Sequence, residues 1–163
     1  MKKITRTIDF VIIGLTLVGA LFIFGYARPL IIAPLTDLTT TNSSILFAFD
    51  KADTILVDDN LEFSHPRIMH AENNLIVSLQ PGVYYWKIKG LRESVVHNIT
   101  ILSAIDLRVQ SAGDKYELTN AGNVPLSVQV YNNSKLQDTL QLSVSEKGNA
   151  SGTMFLGREN VSG

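Results

Sequence analysis

The side chains of this chain best suited to acid–base or metal chemistry are its three histidines, His65, His70 and His97. His65 and His70 are five residues apart, which matches neither the four-residue spacing of a zinc-binding helix nor the alternate spacing that aims two strand residues to one face. We therefore predict loop histidines and no metal site. The surrounding stretch, Asn60–Asn73, is the best candidate for an active-site loop.

Hard oxygen ligands are concentrated in one acidic region that flanks a short apolar run. Its members are Asp50, Asp53, Asp58, Asp59, Asn60 and Glu62. Two adjacent turns of this kind can hold Ca²⁺, but the glycine and final glutamate of an EF-hand loop are missing. Asp and Asn are also the residues that build tight turns. We predict a structural role for this region, with no bound metal.

Other classes of chemistry find little support in the sequence. The chain has no cysteine, so it has neither a thiolate nucleophile nor a disulfide. It contains no Gly-x-Ser-x-Gly elbow, no phosphate-binding loop and no dinucleotide fingerprint. A net charge of −1 offers no basic face for nucleic acid. We predict no catalytic residues and no cofactor, and hence that the chain is not an enzyme.

An apolar run near the amino terminus indicates on which side of a membrane these groups would lie. Residues 10–27 carry no charge and, as a helix, would extend about 27 Å, close to the thickness of a bilayer core. Three basic residues precede the run and only Arg28 closely follows it. We predict a cytoplasmic segment at 1–7, a transmembrane anchor at 8–28 in contact with membrane lipid, and an exterior remainder. A cleaved signal ending at Ala27 is the alternative.

Beyond a polar linker at 29–44, alternating runs separated by turn residues predict strands and no helix. The predicted strands are 46–49, 54–57, 74–79, 83–89, 95–102, 105–109, 115–118, 126–131, 139–144 and 153–156. Such short strands are typical of a β-sandwich. The residues predicted to face inward in the second half are Leu107, Val109, Leu126, Val128, Val130, Leu140, Leu142 and Val144.

One turn and one aromatic run carry specific expectations. Gln80-Pro81-Gly82 suits a type II turn and should join two antiparallel strands. Tyr84 and Trp86 share a strand face, and we predict that Trp86 is a core residue, because large aromatics fill sandwich cores.

Two segments resemble known modules. Residues 116–130, which include Asn120-Ala-Gly-Asn123, resemble the strand-turn-strand signature of the CARDB-like and NEW3-like modules of archaeal and bacterial surface proteins. Residues 79–88 are similar to the late hairpin of fibronectin type III-like domains. The resemblance implies immunoglobulin-like sandwich segments at 45–104 and 105–158, followed by a tail at 159–163. It also implies adhesive or spacer roles without catalytic residues.

Five Asn-x-Ser/Thr sequons lie in the predicted exterior part and are candidates for glycosylation. They begin at Asn42, Asn98, Asn132, Asn149 and Asn160.

Together these features predict an all-β, immunoglobulin-like protein that a single N-terminal helix anchors in the membrane. Its role would be structural or adhesive, through contacts with other envelope proteins, and an oligomer is compatible with this role. Two alternatives remain open at this point. One is a pilin-like filament subunit with an apolar helical core, and the other is an accessory subunit of a membrane complex.

Overall fold

The fold is given by a computed structural model that describes residues 2–26 and 28–160, without the side chains of residues 2–7, 23, 24 and 26. One helix, α1 (Lys2–Tyr26), precedes fourteen strands in the described residues. The strands are β1 (Leu30–Ala33), β2 (Leu38–Thr40), β3 (Ser44–Asp50), β4 (Ala52–Asp58), β5 (Arg67–His70), β6 (Asn74–Ser78), β7 (Gly82–Gly90), β8 (His97–Ile101), β9 (Leu107–Ala112), β10 (Lys115–Asn120), β11 (Leu126–Asn132), β12 (Lys135–Leu142), β13 (Lys147–Ala150) and β14 (Met154–Glu159).

The strands form four sheets, so the predicted all-β class is confirmed. Their orders are β1-β3-β6, β2-β8-β7-β4-β5, β13-β10-β9 and β12-β11-β14. Most of the described strand pairs are antiparallel, whereas β2 and β8 run parallel, with Leu38 opposite Ile99. The described chain divides into two compact units, each formed from separate stretches of the sequence. One comprises Met1–Thr36, Leu46–Ile76 and Tyr84–Asn98, and the other comprises Asp37–Ile45, Val77–Val83 and Ile99–Gly163. These bounds differ from the linear division predicted at residue 104.

The first unit has an aromatic core around Trp86, which is fully buried, as predicted. The rings of Trp86 and Phe47 meet edge to face, with centroids 5.1 Å apart and planes at 79°. Ile55 and Ile88 are also fully buried, and they face each other in the β4–β7 register. This core results from the alternation of apolar residues along β3, β4 and β7.

The second unit has an aliphatic core. Alternation along β11 buries Leu126, Val128 and Val130, as predicted, and Leu118 of β10 packs in the same cluster. The prediction is wrong at Val109 and Val144, which are exposed. Val109 lies on β9, an outer strand, and Val144 lies beyond the end of β12 at Leu142.

The predicted linker contains two strands instead of an irregular stalk. Leu30 and Ile31 of β1 pair with Asp50 and Phe49 of β3. The apolar, β-branched sequence of β1 suits this edge pairing.

The prediction for Gln80-Pro81-Gly82 is wrong. β6 belongs to the sheet β1-β3-β6 and β7 to the five-stranded sheet, so this segment connects two sheets and not the strands of a hairpin. The chemistry of a turn is local, whereas the partner of each strand depends on tertiary pairing.

The N-terminal helix is present, but it begins at Lys2 and ends at Tyr26, whereas the anchor was predicted over 8–28. Among the described residues, no helix is both long enough and apolar enough to cross a membrane.

Candidate functional site

The acidic region is organised around Asp58, which ends β4 and is only 7% exposed. Its Oδ2 accepts a hydrogen bond from the backbone N–H of His65 at 3.0 Å, and its Oδ1 accepts one from the N–H of Asn60 at 3.2 Å. Burial opposes ionisation of this carboxylate, but the backbone hydrogen bonds outweigh that effect and lower its pKa. Asp58 therefore closes the loop between β4 and β5.

Other side chains of the acidic region accept hydrogen bonds from residues that are close in sequence. Asp53 accepts a hydrogen bond from the Thr54 hydroxyl at 2.7 Å, and Asn60 Oδ1 accepts one from the backbone N–H of Glu62 at 2.9 Å. Such bonds are typical of Asx turns and short connections. Within residues 2–26 and 28–160, no group of three His, Asp or Glu side chains is placed to hold a metal ion.

The candidate active-site loop, Asn60–Asn73, is partly a strand. β5 pairs with β4, so that His70 lies opposite Thr54, and His70 Nδ1 is 3.2 Å from the Thr54 hydroxyl. His65 lies before this strand, and its backbone N–H supports Asp58. The two histidines therefore occupy different structural settings.

His97 has the most unusual setting of the three histidines. Its ring lies against the indole of Trp86, with centroids 4.9 Å apart and planes at 34°. Among the described residues, His97 Nε2 and Trp86 Nε1 are both buried without a hydrogen-bond partner. An unsatisfied buried donor or acceptor costs about 1–3 kcal/mol. Sequence reasoning considered only the other two histidines, because they are five residues apart and lie in one loop-like segment.

His97 lines a pocket of about 430 Å³ in the first unit. The segment that follows α1 contributes Arg28 and Pro29 to its wall, and the β7–β8 connection contributes Arg92 and Val95. This pocket is a candidate site because Arg28, Arg92 and the partly buried His97 all belong to its lining. Sequence reasoning missed Arg92, and it noted Arg28 only as a flanking charge.

A second candidate surface is the outside of α1. From Ile8 to Phe22 every residue is exposed except Gly19, which is intermediate. Leu15 is 70% exposed and Phe22 is 76% exposed. Between Ile8 and Phe22, apolar side chains therefore lie on all sides of this helix, and the described residues do not cover them.

The turn that carries the predicted family resemblance has a structural function. Asn123 Oδ1 accepts a hydrogen bond from the backbone N–H of Ala104 at 2.7 Å. Its Nδ2 donates to the carbonyl oxygens of Thr41 and Leu102, both at 2.8 Å. A Cβ atom on Gly122 would collide with the carbonyl oxygen of Ala104. The turn Asn120-Ala-Gly-Asn123 is thus hydrogen-bonded to neighbouring loops and holds them in place.

The sequons occupy different environments. Asn42 and Asn149 are exposed, whereas Asn98, Asn132 and Asn160 are partly buried. Asn98 lies within β8, and its Oδ1 is buried without a hydrogen-bond partner among the described residues. Glycosylation at all five positions stays a prediction.

Comparison with known proteins gives little guidance. No family model matches the chain, and no curated protein matches it. Native alpha-2-macroglobulin from Escherichia coli, in a crystal structure spanning domains MG0-NIE-MG1, is similar at 11% identity and a TM-score of 0.30. The match covers 82% of this chain and 62% of that one. At that score the likeness carries no argument about fold or function.

Proposed function

We propose that this chain is a membrane-attached protein of the cell envelope, held in lipid by α1, whose β-strand part works outside the membrane through contacts with other proteins. The proposal assigns it a structural or adhesive role and no catalytic activity. Its β part would consist of immunoglobulin-like segments.

The observation that carries this proposal is the uncovered apolar surface of α1. Ten large apolar side chains between Ile8 and Phe22 are more than half exposed. Transferring one such side chain from water to an apolar phase gains about 1.5–3 kcal/mol. A helix that is apolar on all sides needs a protein interior or a lipid phase around it. Because the described chain does not bury these side chains, we infer that lipid surrounds them.

The polar content of α1 supports the same environment. Between Phe10 and Phe22 the only polar side chain is that of Thr16. Its hydroxyl lies 2.6 Å from the carbonyl oxygen of Ile12 and 3.0 Å from that of Ile13. A hydroxyl that is satisfied by its own helix backbone can enter lipid without losing a hydrogen bond.

The charges in the sequence support the orientation that we propose. Lys2, Lys3 and Arg6 precede the apolar run, whereas Arg28 alone closely follows it. The positive-inside bias then favours a cytoplasmic amino terminus and an exterior β part.

The exposed edges of the sheets support a role in protein contacts. β5 and β12 are outer strands of their sheets, and the first five residues of β12 are all exposed. An outer strand presents unpaired backbone groups that can add a partner strand. The side chains of Asn120 and Asn123 form hydrogen bonds to backbone carbonyl oxygens of neighbouring loops. Such bonds are expected in a module whose turns have a structural role.

Protease treatment of intact cells that produce the full chain tests this proposal. We expect the β part to be degraded from outside while the chain remains in the membrane fraction. Full protection of the β part, or recovery of the chain in the soluble fraction, would contradict the proposal. Regular filaments in electron micrographs would instead assign the chain to the pilin-like class, and a stable complex with membrane proteins through α1 would make it an accessory subunit.

A further inference from the structure

The connection between β7 and β8 carries two apolar side chains that are largely open to solvent. Leu91 is 86% exposed, the largest exposed fraction among the large apolar residues of the described chain, and Val95 is 73% exposed. A single exposed apolar side chain is ordinary on a protein surface. The position of these two side chains in the first unit is what suggests a function.

The backbone of this connection is held by hydrogen bonds on both sides of Leu91. The N–H of Gly90 donates to the carbonyl oxygen of Arg92 at 3.0 Å, and the N–H of Ser94 donates to that of Ile88 at 2.9 Å. Ser94 Oγ also accepts a hydrogen bond from the N–H of Ile88 at 3.1 Å. These bonds close the connection onto the end of β7, so its backbone path keeps Leu91 at the surface.

The turn between β3 and β4 lies directly against this connection. A Cβ atom on Gly90 would collide with the carbonyl oxygen of Lys51 and would lie 3.0 Å from the Cα atom of Ala52. Leu91 and Lys51 also line one pocket, of about 600 Å³. Glycine at position 90 therefore lets the two segments touch, and Leu91 lies beside the β3–β4 turn.

The same turn reaches the last part of α1. Lys51 lines another pocket, of about 470 Å³, together with Leu21, Phe22 and Gly25 of the helix. Phe22 is four residues from the end of α1 at Tyr26, which corresponds to about 6 Å along the helix axis. The β3–β4 turn therefore lies at the level of the last turns of the helix.

Val95 lies near the same junction of helix and strands. It lines the pocket of about 430 Å³ together with Arg28 and Pro29, which closely follow α1. The headgroup layer on each side of a bilayer is about 5–8 Å thick, similar to the length of helix between Phe22 and Tyr26. With lipid around α1, this end of the first unit lies at the level of the headgroups.

We propose that Leu91 and Val95 insert into the lipid interface beside α1 and hold the first unit against the bilayer surface. The inference rests on the proposed function, because it takes the lipid around α1 as its starting point. Lipid is the occupant that this position favours, since the two side chains lie next to the end of a helix whose own apolar surface we place in lipid. Insertion removes apolar area from water and adds a second attachment, which restricts rotation of the unit about α1.

The sequence has no cysteine, so a fluorophore can be attached at one chosen position. Leu91→Cys and Val95→Cys are each labelled with the environment-sensitive dye NBD. The full chains are then reconstituted in phosphatidylcholine vesicles with and without a nitroxide on the lipid acyl chain near the headgroup. We expect the nitroxide to quench most of the fluorescence at both positions.

Leu61 offers a matched control at the other end of β4. It is a leucine that is 58% exposed, and it lies in the connection that follows Asp58. β4 begins at Ala52, beside the β7–β8 connection, so its length places Asp58 about 20 Å from that end. Leu61→Cys, labelled in the same way, should keep its fluorescence in nitroxide vesicles.

A charge at position 91 tests whether the two side chains insert together. In the labelled Val95→Cys chain, Leu91→Asp should reduce quenching at position 95, because a carboxylate resists transfer out of water. Leu61→Asp should leave that quenching unchanged.

Several results would overturn the inference. Quenching at positions 91 and 95 that is no stronger than at position 61, or that Leu91→Asp does not reduce, would show that the two side chains stay out of the lipid. Unquenched labels whose fluorescence rises with the number of chains per vesicle would assign them to a contact between copies. Flotation with phosphatidylcholine vesicles separates the two proposals. A chain that floats while both labels escape quenching contradicts only the insertion, whereas a chain that does not float contradicts the proposed function and the insertion with it.

Discussion

The indole ring of Trp86 lies against the imidazole of His97, with centroids 4.9 Å apart and planes at 34°. On another side of the same indole, the ring of Phe47 makes an edge-to-face contact at 5.1 Å. Trp86 thus connects the core of the first unit with the residue that lines its pocket. Changes at Trp86 should affect stability, and changes in the pocket should affect its fluorescence.

Removal of the Trp86 side chain should therefore be costly. We expect Trp86→Ala to lower the free energy of unfolding by about 3–5 kcal/mol, the usual cost of deleting a large buried aromatic. The control, Val83→Ala, changes a half-exposed residue of the same strand and should cost less than about 1 kcal/mol. Urea unfolding followed by circular dichroism measures both. A loss below about 1 kcal/mol for Trp86→Ala would contradict its role in the core.

Asn120 should matter more to stability than its small size suggests. It is fully buried, and its Nδ2 lies 2.8 Å from the carbonyl oxygen of Val124 and 3.1 Å from those of Leu142 and Ser143. Asn120→Ala leaves these carbonyl oxygens without this donor, and the bonds to Val124 and Leu142 are buried, so we expect a loss of about 2–4 kcal/mol.

The exposed Asn149 offers a matched control for this change. Asn149→Ala should shift the free energy of unfolding by no more than about 0.5 kcal/mol. Similar losses in the two variants, measured by urea unfolding, would show that the buried hydrogen bonds of Asn120 contribute little.

The Asp58 carboxylate should make stability depend on pH in acid. Its pKa in the folded protein lies below the ordinary value of 3.8, because backbone hydrogen bonds outweigh the effect of burial. Its contribution is therefore present above that ordinary value and is lost as the pH falls through the folded-state pKa. The stability difference between wild type and Asp58→Asn should shrink as the pH is lowered from 6 to about 2.5. Asp114→Asn, in an exposed turn, controls for general loss of charge. A difference that stays constant would argue against this role.

The acidic region should not respond to calcium. Both oxygens of Asp58 already accept backbone hydrogen bonds, so a metal ion would have to displace them. We expect the same melting temperature with millimolar CaCl₂ and with a chelator. A specific site would add about 2.7 kcal/mol at a hundred times its dissociation constant. A clear rise that Asp58→Asn abolishes would overturn the structural assignment.

Strand positions could be predicted well wherever alternation extends over several residues. β11 is an example, because the alternation of Leu126, Val128 and Val130 gives both the strand and its buried face. β5 escaped prediction because Pro66 and two histidines are typical of a loop. Its strand geometry depends on pairing with β4, which brings Ile55 opposite Met69. Local patterns do not contain this tertiary information.

The candidate site could not be predicted for a related reason. Arg28 and Arg92 are far apart in sequence, and no motif connects them. Their common pocket exists only after the segment that follows α1 and the β7–β8 connection come together. The turn at Asn120-Ala-Gly-Asn123, by contrast, could be predicted, because Asn and Gly favour tight connections. The hydrogen bonds of the Asn120 side chain to Leu142 and Ser143 could not, because these residues are distant in sequence.

Flotation through a sucrose gradient with phosphatidylcholine vesicles tests most directly the proposal that α1 holds this protein in lipid. The wild-type chain should float with the vesicles and resist extraction at high salt and alkaline pH. Leu15→Asp with Val18→Asp should abolish flotation, because each charge costs about 2.5–3.5 kcal/mol at the centre of a membrane helix. Ile68→Asp, at an exposed apolar position on β5, should float like the wild type. A wild-type chain that stays at the bottom of the gradient, or a double variant that floats equally well, would contradict the account.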